Sequence, residues 1–442
     1  MNRKDPTTLV AALLALGLAG FLSAQDKPPL RLTLGEAVRV ALRQNPEVQI
    51  AILDVAESGE DHSVARAQLL PQANLSVSDA ATRLNLEAVI GVQIPGFPQH
   101  VGPFQTFQAG PVFSAPIFDL TLWRRWQASA QTLARTRAEQ MTVREQITLL
   151  VVSQYLGGLR AAADVRAAHS RVELAQALYN QAVELEKHGI STALDTLRAN
   201  VELQHERQRL IVAETNRNTA LYGLAQILNL DPHQPVEITD EMSFFETPQF
   251  GMEESIENAY TLRPEMTALL ARQSAARLER RAAWEQRLPK LLTGGNWAYQ
   301  GSSAPTSIPA YQYQVTLDVP LFTGGRIRAE TTKAEIELKK LDRQMEDLKS
   351  RIALEVKIAV EELDAARNEV EVANLGVKLA QDEVDQARER FQAGVADNIE
   401  VTTAQDALAR AHDDQIAALY RFNQARADLA HAMGQTEKFY AA

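Results

Sequence analysis

The chain has 442 residues, of which 45% are hydrophobic and 23% are charged, and its formal net charge is −11. This composition excludes a disordered chain and a protein built from several membrane-spanning helices, and the negative charge argues against a nucleic-acid partner. The chain contains no cysteine. Disulfide bonds, thiol catalysis and cysteine-bound zinc are therefore excluded, and stability has to come from packing and assembly.

The first residues have the pattern of a secretory signal. Arg3 and Lys4 form a charged start, residues 9–22 form an apolar run, and Ser23 and Ala24 form a small-residue end. A membrane anchor is the alternative, but the apolar run is shorter than the roughly 20 residues that a spanning helix needs. We predict that residues 1–24 are a signal peptide and that the chain is exported.

Two pairs of helices, 218 positions apart, are each bounded by proline. A helical pattern that begins at residue 34 stops at Pro46, and the next one stops at Pro71. Helical patterns over residues 252–262 and 265–288 are followed in the same way by Pro264 and Pro289. Proline is tolerated at a helix start and disfavours helix in the residue before it. The matching prolines therefore predict an internal duplication.

After each helix pair the hydrophobic period changes to that of a strand. Residues 310–322 alternate apolar and polar side chains, as in Tyr311, Gln312 and Tyr313. A weaker alternation covers about residues 104–118. We predict four strands, paired as two hairpins, with partner strands at about residues 72–83 and 291–301.

Each hairpin leads into a helix of unusual length, predicted over residues 120–188 and 325–393. At about 1.5 Å per residue, each helix spans roughly 100 Å. The second helix carries a strict seven-residue repeat of large apolar residues from Val356, with an alanine three residues after each, and subtracting 205 recovers the frame in the first helix. Such a repeat makes helices wind left-handed around partners, and alanine lets their backbones approach closely.

Both long helices reach a glycine, Gly189 or Gly394, and turn into antiparallel helices predicted over residues 193–229 and 398–433. The predicted fold is mainly α, with long coiled-coil hairpins, a two-fold internal repeat and a small transmembrane β part. The predicted domains are a signal peptide (1–24), a first repeat (25–228), a linker (229–251), a second repeat (252–434) and a C-terminal tail (435–442).

The strands are the most constrained part of this prediction. A four-stranded sheet has two unpaired edges, and in lipid each unsatisfied backbone group costs several kcal/mol, so only closed barrels are viable there. Four strands are too few to close, whereas three copies supply twelve strands and room for a passage. A soluble sandwich is the alternative. If the strands span a membrane, interfacial girdles are expected from six aromatic residues: Phe107, Phe113, Trp297, Tyr299, Tyr311 and Tyr313.

The whole pattern resembles the TolC-like outer-membrane efflux channels. The resemblance rests on the order of elements, the duplication with its matched prolines, and two phrases: Pro320-Leu321-Phe322-Thr323-Gly324-Gly325-Arg326 and Phe391-Gln392-Ala393-Gly394. It implies a homotrimer in outer-membrane lipid, with a shared 12-stranded β-barrel and an α-helical barrel that crosses the periplasm. It also implies two partners, a periplasmic adaptor (membrane fusion) protein and an inner-membrane pump.

The resemblance further implies roles for the helix tips. The adaptor would contact the two turns, at Gly189, Ile190, Ser191, Thr192, Gly394, Val395, Ala396 and Asp397. Gate or charge-ring groups would be Asp195, Phe391 and Glu400. For either carboxylate the alternative is a solvated helix-start residue favoured by the helix dipole. The chain departs from the family at Phe391, where a tyrosine is expected, and at Ala396, where a basic residue is expected. Closure is therefore expected to rest on packing.

Nothing in the sequence indicates an enzyme. The eight histidines show no metal-ligand spacing, and the chain lacks both a phosphate-binding glycine loop and a nucleophile elbow. We therefore expect no cofactor. The favoured hypothesis is a passive exit channel of a tripartite efflux or secretion system, with its cargo open between drugs, metal ions and polypeptides. The alternative is a non-conducting periplasmic coiled-coil scaffold or adhesin.

Overall fold

The computed structural model describes residues 28–92, 95–189, 192–244, 251–393, 395 and 398–441. The predicted signal peptide lies outside them. Helices α1 to α10 of the described part are, in chain order, Leu34–Gln44, Pro46–Ala67, Leu86–Ile90, Leu120–Lys187, Ala193–Ile227, Met252–Leu262, Pro264–Glu285, Arg326–Gln392, Asn398–Ala432 and Thr436–Tyr440. Strands β1 to β6 are Leu30–Leu32, Gln72–Asn85, His100–Phe118, Val236–Ile238, Lys290–Gly301 and Ile308–Asp318.

The helices confirm the internal repeat. Helices α1 and α6 each have 11 residues, and α2 and α7 each have 22. The long helices α4 and α8 have 68 and 67 residues, and the antiparallel helices α5 and α9 each have 35. Pro46 and Pro264 occupy the first positions of α2 and α7, where the missing N–H has no helical partner to lose. The repeat therefore extends to the punctuation between helices.

The four long strands form one antiparallel sheet with the order β2-β3-β5-β6. Both predicted hairpins, β2-β3 and β5-β6, are confirmed, and the pairing of β3 with β5 joins them into the one four-stranded sheet. The last strand ends at Asp318, which pairs with Lys290, and not at residue 322. Its partner strand begins there, just after Pro289, and Pro320 has no N–H to extend the ladder. Strands β2 and β6 leave the two outer edges of the sheet unpaired.

A second sheet was missed by the sequence analysis. Strands β1 and β4 pair in parallel, with Leu30 opposite Val236 and Leu32 opposite Ile238. Three-residue strands are too short to show a hydrophobic period, so the sequence pattern did not indicate β1 or β4. Strand β4 lies inside the segment that was predicted to be a linker. The hydroxyl of Tyr155 on α4 donates towards this sheet, 2.9 Å from both the Leu32 carbonyl and the Asp240 carboxylate. The linker is therefore fastened to the first long helix.

The sheet register separates apolar from polar side chains. In β2, β3, β5 and β6 the odd-numbered residues lie opposite odd-numbered residues over almost the whole ladder, so they share one face. That face carries Leu75, Val77, Phe113, Trp297, Tyr311, Tyr313, Val315 and Leu317; the opposite face carries Asn74, Ser76, Ser78, Gln108, Asn296, Gln300, Gln312, Gln314 and Thr316. Asp79 and Gln105 are polar exceptions on the odd face and are hydrogen-bonded to each other.

Neither face of the sheet is covered by a long helix among the described residues. Tyr311 is 73% exposed and Val315 is 66% exposed. Gly295 lets two aromatic rings meet over the strand, because a Cβ there would lie 2.9 Å from Tyr313 Cδ1 and 3.0 Å from Phe113 Cε1. Those two ring centroids are 5.8 Å apart. Within the described ranges, therefore, no other element packs over this apolar face.

The predicted heptad seam is the core of the helical part. The α8 side chains of Val356, Leu363 and Val370 are buried, and so are the alanines Ala359 and Ala366 that follow them. They pack against α9 in a cluster that contains Phe422, Ala418 and Ala425. The small residues leave no room for a branched side chain between the two backbones. In the first repeat Ala161, Ala168 and Ala175 are buried in the corresponding frame.

The predicted C-terminal tail contains a helix that packs against α4. Glu145 accepts the backbone N–H of Thr436 at 2.7 Å, at the start of α10, and Arg144 donates to Glu437 at 2.9 Å. A carboxylate at the first turn of a helix satisfies otherwise unpaired N–H groups. Within the described part of the chain, no helix combines the length and hydropathy that crossing a bilayer requires.

We predict that Ala366→Leu lowers the midpoint of thermal unfolding. Ala366 is buried in the α8–α9 seam, so three added heavy atoms overpack it at a cost of about 1–3 kcal/mol. The matched control is Ala329→Leu on the same helix, where the side chain is exposed and the midpoint should not move. Equal midpoints for the two variants would contradict close packing at the seam.

Candidate functional site

The ends of the long helices farthest from the sheet form the candidate site. Helices α4 and α5 make one hairpin, and α8 and α9 make the other. Helix α9 also packs against α4, so the four helices lie side by side in the order α5, α4, α9, α8. The two hairpin turns, which we call the tips, comprise residues 188–192 and 393–397.

At the first tip, Gly189 has a φ of +71°, which suits the left-handed turn that ends α4. Thr192 then caps α5. Asp195 Oδ2 accepts hydrogen bonds from the Thr192 N–H at 3.2 Å and from its hydroxyl at 2.7 Å. The Asp195 N–H donates back to the Thr192 hydroxyl at 3.4 Å. This capping box gives Asp195 the helix-start role that the sequence left open as an alternative. Ile190 and Ser191 lie outside the described residues.

At the second tip, Glu400 on α9 pairs with Arg390 on α8. Arg390 Nε lies 2.8 Å from Glu400 Oε1, so the pair links the two sides of the turn. The sequence analysis missed Arg390, although a basic residue one helical turn before a tip glycine is a signal that could have identified it. Val395 is exposed. Gly394, Ala396, Asp397 and the side chain of Phe391 lie outside what the structure describes.

An apolar cluster lies directly behind the second tip. Val384 and Ala387 of α8 pack against Val401 and Ala404 of α9, and all four are buried. Leu408 packs against this cluster. The seam between these helices is thus apolar up to the turn.

Three polar contacts tie the two hairpins together through α4 and α9. Starting near the sheet, Gln424 donates to Ser153 at 2.9 Å, and the Arg160 guanidinium lies 5.3 Å from the centre of the Tyr420 ring. Nearest the tips, Arg171 donates two hydrogen bonds to Asp413, at 2.8 and 3.1 Å. Arg171 is about 25 Å from the end of α4, at about 1.5 Å per residue.

The environment of Arg171 is strongly acidic. Glu206 of α5 is buried, and its Oε2 lies 4.0 Å from Arg171 Nε. Neither of these two atoms has a hydrogen-bond partner among the described residues. The hydrogen bonds to Asp413 raise the pKa of the Arg171 guanidinium, and burial raises the pKa of Asp164 on the same helix. Arg171 therefore holds one hairpin to the other while a second carboxylate of its own hairpin lies close by.

The six predicted girdle aromatics lie on the odd face of the sheet, and most lie towards one end of it. Trp297 is opposite Tyr311, and Tyr299 and Phe107 lie closer still to the loops that are farthest from the helices. At the helical end, exposed tryptophans come from helices and not from strands. Trp123 lies in the first turn of α4 and Trp284 in the last turn of α7, and both are exposed. The sequence analysis missed these two residues, because it looked for the girdle in the strands alone.

Near the sheet, helices α4, α7 and α8 form a curved wall with distinct faces. One groove is lined by residues of all three helices, including Arg125, Glu279 and Glu330. Residues of α4 and α8 can line a common groove across α7 only on the concave face of the wall. The groove lined by all three helices therefore lies on the concave face. On the convex face, α4 and α7 line one groove and α7 and α8 line another, and Arg281 contributes to both. The concave face carries charges of both signs.

No group of three or more acidic or histidine side chains suited to a metal ion occurs in the part of the chain that is described. The arrangement consists of a two-faced sheet, a curved helical wall and two tips joined by polar contacts.

Comparison with known proteins identifies relatives of similar length. The sequence model of the family described as "Outer membrane efflux protein" matches residues 37–230 and 255–435. The alkaline protease secretion protein AprF of Pseudomonas aeruginosa is 22% identical over 92% of this chain and 86% of its own. The pyoverdine export outer membrane protein OpmQ of Pseudomonas putida is 22% identical over 91% of this chain and 85% of its own. The structure of the outer membrane protein VceC of Vibrio cholerae superposes with a TM-score of 0.78 at 18% identity, covering 91% of this chain and 96% of that one.

We predict that Arg171→Gln loosens the tip halves of the two hairpins. Losing the paired hydrogen bonds to Asp413 removes about 1 kcal/mol of local stability, which corresponds to about a fivefold faster exchange of backbone amides in segments that open independently. Hydrogen–deuterium exchange over residues 172–187 and 399–412 measures the change.

Two further variants make this test specific. Arg171→Gln combined with Asp413→Asn should exchange no faster than Arg171→Gln alone, because both remove the same contact. Arg421→Gln breaks an exposed pair with Glu369, at 2.7 Å, inside the second hairpin and serves as the control. If Arg171→Gln and the control exchange alike, the contact does not tie the hairpins.

Proposed function

Because this chain belongs to the outer membrane efflux protein family, we propose that three copies of it form a passive exit channel through the outer membrane and across the periplasm. The observation that carries this proposal is the sheet, which has one apolar face, one polar face and two unpaired edges. Three such sheets, joined edge to edge, make a closed barrel of twelve strands. The odd face then meets lipid, and the even face lines a water-filled lumen.

The strand lengths fit a membrane crossing. Strands β5 and β6 have 12 and 11 residues, and a tilted transmembrane strand needs about 9–11. The even face is polar but almost uncharged, with Asn296 and Gln312 opposite each other and Gln314 two residues further along β6. A soluble cap, which the scaffold alternative requires, would instead cover the aromatic face with other elements of the chain. The exposure of Tyr311 and Val315 argues against such a cap.

The helical wall is open at the same two sides as the sheet. Helix α8 carries a second apolar seam, Ile358, Val372 and Leu379, about 200° around the helix from its buried seam. Val372 is 70% exposed. Helix α5, at the other side of the wall, carries the exposed residues Leu194, Leu197, Val201, Ile211 and Tyr222 at heptad spacing. We propose that α8 of one copy packs against α5 of the next, which closes a barrel of twelve helices.

The turn between β6 and α8 supports the same interface. Leu321 and Phe322 are 94% and 92% exposed, although both are large and apolar. They lie beside the unpaired edge of β6. An apolar pair at this position is buried once a neighbouring copy adds its β2 to that edge, since the two open edges of one chain are complementary to each other.

We propose that the two tips contact a periplasmic adaptor protein and, through it, an inner-membrane pump that supplies the energy. The names of AprF and OpmQ refer to secretion of a protease and export of pyoverdine. A protease and pyoverdine are very different cargoes. Their export fits a channel whose concave face carries charges of both signs and does not select one kind of molecule. At the tips, Glu400 and Arg390 would form a ring of three ion pairs at the constriction.

The proposal is tested on the protein purified from membranes. The channel should fractionate with the outer membrane, run as a heat-sensitive trimer and conduct ions in planar bilayers. A matched pair of variants examines the sheet. Val315→Arg places a charge on the lipid face at a cost of about 2–4 kcal/mol and should prevent insertion, whereas Thr316→Arg faces the lumen and should insert. A detergent-free soluble monomer would support the scaffold alternative and contradict the channel.

We predict that charge changes at the second tip shift ion selectivity in opposite directions. Glu400→Gln leaves Arg390 uncompensated and should move the reversal potential towards anion preference. Arg390→Gln removes one positive charge beside Glu400 and should move the reversal potential towards cation preference, and the double variant should lie close to wild type. Reversal potentials in an asymmetric salt gradient measure this, and identical values in all four channels would remove Glu400 from the charge ring.

A further inference from the structure

The last turns of α7, together with Arg287 just beyond its end, present a row of arginines on the convex face of the wall. Arg277, Arg280, Arg281 and Arg287 are exposed, and Trp284 lies among them at 48% exposure. Within the helix, Arg280 and Arg281 are adjacent, and each lies three or four residues from Arg277 and from Trp284, which places these four side chains on one side of the helix. Arg280, Arg281 and Trp284 line the convex groove between α7 and α8, while Glu279 and Gln286 line the concave groove on the other side. We call Arg277, Arg280, Arg281, Trp284 and Arg287 the arginine row.

The fold does not require the arginine row. Helix α2 is the copy of α7 in the first repeat, has the same length and packs against α4 as α7 does. The positions 218 residues before the row carry, in order, Gly59, His62, Ser63, Arg66 and Leu69. Only one of them is basic, and yet the helix forms. The row is therefore a property of the second repeat alone and points to an external ligand.

Neighbouring acids leave most of the positive charge of the row uncompensated. Glu285 is buried and pairs with Arg124 of α4, at 3.0 Å. Glu335 lines the same groove as Arg280 and Arg281, but no ion pair within 4.0 Å joins it to either of them among the described residues. The Arg287 guanidinium lies 5.9 Å from the centre of the Trp284 ring. A cation stacked near an exposed tryptophan is a combination suited to a boundary between an apolar phase and anionic groups.

The row also lies at the boundary that the sheet defines. Trp284 precedes the first residue of β5, Lys290, by six positions, so the row is directly continuous with the end of the sheet nearest the helices. Trp123 of α4 is exposed at the same junction. If the odd face of the sheet meets the acyl chains of the lipid, the arginine row and Trp123 lie at the level of the headgroups of the periplasmic leaflet.

We propose that the arginine row binds the phosphate groups of anionic phospholipids in the periplasmic leaflet of the outer membrane. This inference rests on the proposed function, because it needs the convex face of the wall to be the outer surface of a membrane channel. Arginine donates paired hydrogen bonds that match the geometry of a phosphate, and Trp284 inserts between acyl chains and headgroups. In a trimer the three rows form a collar that sets how deep the barrel lies in the bilayer.

The test measures lipid retained by the full-length protein purified in detergent. Samples are mixed with equal amounts of phosphatidylglycerol and phosphatidylcholine, and bound lipid is counted by native mass spectrometry. Wild type should retain phosphatidylglycerol in preference. Replacing Arg280, Arg281 and Arg287 by glutamine should reduce that preference by about fivefold for each arginine, whereas replacing the same three by lysine should keep most of it.

A charge-matched control separates the site from net charge. Replacing Arg207, Arg388 and Arg410 by glutamine removes three exposed arginines in the tip half and should leave the preference unchanged. Equal preference in wild type and in the row variant would overturn the proposal, as would an equal loss in the control. If inorganic phosphate alone displaces the lipid at millimolar concentration, the row is a phosphate site and not a lipid site, which also overturns it.

Conductance and trimer formation are measured on the same preparations. A wild type that conducts as a trimer but does not prefer the anionic lipid contradicts the arginine row alone. A wild type that is a soluble monomer contradicts the proposed function, and the lipid inference fails with it.

Discussion

The unpaired edges of the β-sheet are the constraint on which the rest of this structure depends. Strands β2 and β6 expose backbone donors and acceptors that lipid cannot satisfy, and one chain has too few strands to bring those edges together. The helical wall continues the same geometry, with exposed apolar seams on α5 and α8 at its two sides. A single chain is thus a sector of a wall. In the proposed trimer, neighbouring copies cover these apolar surfaces and pair these edges.

The helical wall is built from two repeats of the same arrangement of helices. The positions at which the two repeats differ indicate function. The matching helices of the two repeats differ in length by at most one residue, but Asp195 is a capping residue at the first tip while Glu400 forms an ion pair with Arg390 at the second. Helix α7 carries the arginine row, and α2 does not. Only the second repeat is followed by a packed C-terminal helix, held by Arg144 and Glu145 of the first repeat. Features shared by both repeats are those that the fold needs, and features found in one repeat indicate a role specific to that repeat.

The contacts within a hairpin differ in character from the contacts between the two hairpins. Within the second hairpin the seam is apolar up to the turn, where Val384 packs with Val401. Between the hairpins, the ties through α4 and α9 are polar, and Arg171 has an alternative acidic neighbour in Glu206. Polar contacts exchange partners at lower cost than packed apolar seams. Movement of the two hairpins relative to each other is therefore expected to cost less than separation of the two helices of the second hairpin.

Periodicity and punctuation in the sequence determined the long helices, their heptad seam, the internal repeat and the two-faced strands, because these features depend on residues close together in the chain. The three-residue strands β1 and β4, the joining of the two hairpins through β3 and β5, and the end of β6 at Asp318 required the tertiary structure, because they depend on partners distant in sequence. The same holds for the site. Asp195 and Glu400 could be singled out from their positions after the turns, but the partner of each carboxylate, and the grouping of Trp123, Trp284 and the arginines at one level, are decided by how separate helices pack. Local patterns carry the period of an element, and only the packed chain shows which side chains share a face.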